Sequence, residues 1–155
     1  MSSNDILIQA LRKSAQQILE NNNYHWGHMG QCNCGFLAQN LLKKAPGEIH
    51  QIALTGNGDW NDQIRDYCPN SGFPMDSLIF DLIQFGIKAE ELAELEKLSN
   101  PRILKETSKQ KDYLEFNQKE DVALYMYTWA ELIENESLRK FESVQYTPEE
   151  NLVLV

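Results

Sequence analysis

The apolar residues of this chain recur at three- and four-residue intervals, in short runs that clusters of glycine, proline and asparagine keep interrupting. That spacing turns one face of a helix toward a core, whereas a half-buried strand would need strict alternation. Leu7, Leu11, Ile18 and Leu19 mark a first helix over residues 4–20, capped by Ser3 or Asn4 and ended by Asn21-Asn22-Asn23. Phe36, Leu37, Leu41 and Leu42 mark a second over residues 35–44, which Ala45-Pro46-Gly47 breaks. Asp59 caps a short helix carrying Ile64 and Tyr67. Pro74 suits the start of another that holds Leu78, Ile79, Leu82 and Ile83, with Gly86 as its C-terminal cap.

Toward the C-terminus, residues 89–98 turn Leu92, Leu95 and Leu98 inward and a dense acidic face outward. On this reading Glu90, Glu91, Glu94 and Glu96 are solvated. Residues 101–104 add one further turn. A strong helix over residues 119–135 carries Val122, Tyr125, Trp129, Leu132 and Ile133 as its buried stripe, with Glu120 and Asp121 in its first turn. The expected fold is therefore mainly α, a compact single-domain bundle of short helices over residues 1–155, poorly patterned from about residue 142. Residues 48–54 form an apolar run too short to decide between helix and strand. The alternative is α+β, with that run and Asn151–Val155 as a minor sheet.

Charge narrows the partners. Twenty-three acidic residues against fourteen basic ones give a formal net charge of −9, which opposes nucleic acid and anionic membrane surfaces alike. The first residues lack the basic and apolar regions of an export signal, and no apolar run is long enough to span a bilayer. A cytoplasmic protein with three reduced thiols is the expectation.

Chemistry concentrates in one place: Tyr24-His25-Trp26-Gly27-His28-Met29-Gly30-Gln31-Cys32-Asn33-Cys34-Gly35-Phe36, with His50 and Cys68 following. Thiolate and imidazole together suit a tetrahedral ion, zinc above iron or copper. Cys32, Cys34 and Cys68 with His28, or with His25 or His50 in its place, would supply four ligands. Against this, Cys-x-Cys is narrower than the usual zinc spacing. Alternatively, Cys34 at a helix N-terminus is placed to become a thiolate nucleophile, with His50 or His28 as base. A strained Cys32–Cys34 bridge would instead be a labile redox pair. Plain packing is the fourth reading, because free cysteine behaves as a small hydrophobe.

Tyr24-His25-Trp26-Gly27 followed by Cys34-Gly35-Phe36 resembles the segment around the catalytic cysteine of NlpC-type papain-like peptidases. The resemblance implies Cys34 as nucleophile, His50 on a strand as its base, and a substantial sheet. The chain departs from the pattern: no serine separates Cys34 from Gly35, and the glycine pair is Gly27-His28.

From the sequence, then, the leading expectation is a zinc-favouring metal site in the 25–34 loop. A non-catalytic helical interaction protein, with a protein partner or a second copy, is the alternative. A cysteine hydrolase is third.

Overall fold

A computed structural model describes residues 2–20 and 23–145. Those residues form eight helices: α1 (Ser3–Glu20), α2 (Asn33–Leu42), α3 (Pro46–Leu54), α4 (Trp60–Arg65), α5 (Pro74–Ile83), α6 (Ala89–Lys97), α7 (Pro101–Thr107) and α8 (Lys119–Gln145). The mainly α bundle is as expected. The minor sheet is not: residues 48–54 lie inside α3, and no strand occurs among the described residues. Pro46 explains the correction. It follows the end of α2, as expected, and also occupies the first turn of α3, where its missing N–H costs nothing and its fixed φ favours the helix. Residues 151–155, the other half of the suggested sheet, lie outside the described residues.

The long pair α1 and α8 runs antiparallel along one side, with Arg12 donating two hydrogen bonds to Glu134 and Asn4 one to Ser137. The helix α8 outlasts the expected stop at residue 135, and the bond from Asn4 reaches Ser137 in the added length. Leu7, Leu11, Ala15 and Ile18 of α1 are buried, but Leu19 is 45% exposed. The α2 helix sits at the centre, packed against α1, α3, α5 and α6. It is apolar nearly all round, with Cys34, Phe36, Leu37, Ala38 and Leu41 buried, as a core helix should be.

Local signals set the other boundaries. Asp59 accepts from the Asp62 N–H at 2.9 Å and Asp62 from that of Asp59 at 3.0 Å, a reciprocal capping box at the start of α4. Asn100 caps α7 by accepting from the N–H groups of Arg102 and Ile103. The expected start of α2 moves back from Gly35 to Asn33, because Cys32 takes the extended N-cap conformation. No described helix is long and apolar enough to cross a membrane.

Candidate functional site

The Cys/His segment is a loop that hydrogen-bonds to α3 through His50, to α4 through Trp60 and to α6 through Glu96. Gly30 is the tightest point. A Cβ there would fall on the Pro46 carbonyl, and one on Gly35 would fall on the Gly30 backbone. Glycine at both positions is what lets three stretches of main chain meet. The loop's carbonyls are then claimed by distant side chains. Trp60 Nε1 donates to Met29 O at 2.8 Å, and Gln39 Nε2 to Gly30 O at 2.6 Å.

Beneath the loop, α2 and α6 cap one another. Cys32, at the N-cap of α2, offers no side-chain cap of its own. Glu96 provides it from α6: its Oε1 accepts the Cys34 N–H at 2.7 Å. In return Asn33 Nδ2 donates to Leu95 O (3.1 Å) and Glu96 O (3.2 Å), carbonyls of the last turn of α6, and to Phe116 O (2.9 Å). The Tyr24 hydroxyl closes the set by donating to Asn33 Oδ1 at 2.6 Å. Each helix end thus finds partners for groups its own backbone leaves open.

Both thiols are sealed into this junction. Cys32 and Cys34 are buried, and Cys34 Sγ donates to Leu92 O at 3.0 Å. Burial, and next the neighbouring Glu96 carboxylate, push both thiols well above the ordinary cysteine range. An N-terminal helix dipole would favour a thiolate at this point, but Glu96 already occupies it. Burial also raises the Glu96 carboxyl itself, although the Cys34 N–H and the thiols act in the opposite direction.

The loop's outer face holds the aromatic and imidazole groups. Trp26 packs on Phe116 with ring centroids 4.7 Å apart, and Lys97 Nζ lies 4.8 Å from the Phe116 centroid and 5.4 Å from that of Trp26. His28 and His50 stack at 4.0 Å with their planes 18° apart. His28 Nδ1 accepts from the Gly30 N–H and His50 Nδ1 from the Met29 N–H, each at 3.1 Å.

The suggested site residues therefore separate. Cys32 and Cys34 meet Glu96, His28 meets His50, and Cys68 is exposed on the segment between α4 and α5. The ligand set Cys32, Cys34, Cys68 and His28 does not form one group: no three His, Cys, Asp or Glu side chains converge as an ion would require among the described residues. Cys32 and Cys34 are free thiols rather than a bridge. His50, placed on a strand by the peptidase resemblance, is on helix α3 with its Nδ1 already engaged.

Two contributors escaped the sequence reading. Glu96 was grouped with the solvated glutamates, yet it is 5% exposed, while Glu90 on the same helix faces solvent. The signal was present: Glu96 stands four residues after Leu92 and one after Leu95, on their face. Asn33 passed as a spacer between cysteines, although Asn at a helix start commonly bonds neighbouring backbone. No protein-family model, curated protein or solved structure matches the chain.

Proposed function

We propose that this is a non-catalytic helical interaction protein in which the Cys/His segment is an internal tie rather than a reactive centre. One observation carries the reading: Cys34, the best-placed nucleophile in the sequence, is fully enclosed, with its thiol bonded to Leu92 O and its N–H bonded to Glu96. A nucleophilic thiol needs access and a stabilised thiolate, and this environment opposes both. The imidazoles that would act as base or ligand already use their Nδ1 lone pairs on backbone N–H groups. Surface for partners remains elsewhere. Beyond Ser137, where α8 passes the start of α1, Leu138 and Phe141 stand three residues apart and 55% and 59% exposed. Apolar pairs at that spacing are the form in which helices present anchors to a protein partner.

Brief treatment of the native protein with iodoacetamide, read by mass spectrometry, tests the reading beside elemental analysis of protein purified without added metal. Modification confined to Cys68, with substoichiometric metal, is expected. Labelling of Cys34 in the folded state would refute it. So would near-stoichiometric zinc or iron that is lost in a Cys34→Ser variant.

A further inference from the structure

We propose that the stacked His28–His50 pair is an acid-sensitive latch, holding the 25–32 loop on α3 while His28 is neutral and releasing it when His28 gains a proton at Nδ1. The geometry dictates the protonation state. A backbone N–H can only donate, so a ring nitrogen facing one must present a lone pair. His28 Nδ1 faces the Gly30 N–H and His50 Nδ1 faces the Met29 N–H, both at 3.1 Å. His28 is thus neutral, with its proton on Nε2. Protonation at its Nδ1 replaces an attraction by two opposed N–H groups, and the ring that must then turn away is the one stacked on His50 with centroids 4.0 Å apart.

The two bonds lie at the loop's tightest point. Met29 and Gly30 are the residues whose carbonyls hold Trp60 and Gln39, and Gly30 is the one pressed on Pro46. Opening the latch therefore loosens the contact between the loop and the start of α3. The titratable groups acting on His28 are His50, reaching across from α3, and His25 within the loop. Neither can stabilise an imidazolium. Burial first, then these two neighbours, hold His28 below the ordinary histidine range. A group depressed on folding stabilises the closed state above its unfolded pKa, and that contribution is lost as pH falls through the folded value. The latch is closed at neutral pH and opens on the acid side of about 6.5, the unperturbed histidine value.

Hydrogen exchange at the Met29 and Gly30 amides, corrected for intrinsic rates, reads the latch directly. Between about pH 7.5 and about pH 4.5, protection should begin to fall below about pH 6.5, by up to about tenfold per pH unit, and level off once His28 of the closed state titrates. The His28→Asn/His50→Asn double variant keeps an acceptor close to each Nδ1 position but cannot titrate there. Its protection at the two amides should be independent of pH. Unchanged protection in the unmodified protein, or an equal fall in the variant, would overturn the proposal. Should the variant lose protection at every pH, imidazole nitrogen shifts of the unmodified protein decide. The fall in protection must level off as His28 of the unmodified protein titrates, and a fall that continues below that titration refutes the latch.

Discussion

Replacing Glu96 with alanine exposes how much of the molecule rests on one buried carboxylate. The side chain is buried and accepts the Cys34 N–H at 2.7 Å, the cap that Cys32 does not supply to α2. Removal leaves that N–H enclosed without a partner, at a cost of about 1–3 kcal/mol. The vacated volume adds about 1 kcal/mol, because a tightly packed junction relaxes only in part. Loss of a poorly solvated charge offsets some of this, since such a group is itself expensive to bury. The net expectation is a loss of about 2–3 kcal/mol. For a chain of this size that corresponds to a melting temperature lower by roughly 5–10 °C.

Glu96→Gln separates the hydrogen bond from the charge. Glutamine keeps the Oε1 acceptor and cannot ionise, so its stability at neutral pH should lie within about 1 kcal/mol of the unmodified protein. The two proteins should also diverge with pH. Burial raises the Glu96 carboxyl on folding, so its favourable contribution is present below the unfolded pKa and is lost as pH rises through the folded value. The glutamine variant should therefore gain on the unmodified protein as pH increases. Urea unfolding followed by circular dichroism at several pH values measures all three proteins. If glutamine is as damaging as alanine, or alanine costs less than about 1 kcal/mol, Glu96 is not the cap described above.

Gly30→Ala should cost about 3 kcal/mol or more, because the new Cβ meets main chain at Pro46 rather than a flexible side chain that can move aside. Gly47→Ala, where a Cβ meets nothing, serves as its control and should gain up to about 1 kcal/mol from helix propensity, both read by urea unfolding. Asn33→Ala strips donors from three carbonyls and an acceptor from Tyr24, and should lower stability by about 2–4 kcal/mol, with faster proteolysis near the end of α6 as a second readout.

The helices were legible because each is written in short-range terms. Asp59 with Asp62, Pro74 before Met75, and the stripe of Val122, Tyr125 and Trp129 are patterns a reader can complete without knowing the fold. Residues 48–54 stayed undecided because their apolar run is short, and Pro46, which follows the end of one helix, also starts the next. The site was harder for a different reason. Cys32, Cys34 and His28 share one short stretch of sequence, but what each meets depends on residues more than twenty positions away, such as His50 and Glu96. A glutamate among four in an acidic helix shows its burial only through its register with Leu92 and Leu95. The reactivity of a thiol is decided by that kind of neighbour, not by its spacing from another thiol.

The exchange of caps between α2 and α6 also bears on how the chain reaches its fold. Asn33 and Glu96 are separated by sixty-three positions, so neither helix terminus can mature before a long intervening segment has closed. Closing a segment of that length carries a chain-entropy cost that a single local helix does not. Once made, the junction couples the two ends, since fraying α6 removes the Glu96 acceptor from α2, and fraying α2 removes the Asn33 donor from α6. Amide exchange at the start of α2 and at the end of α6 should accordingly share one opening free energy. The two termini form a single cooperative unit assembled from remote parts of the chain.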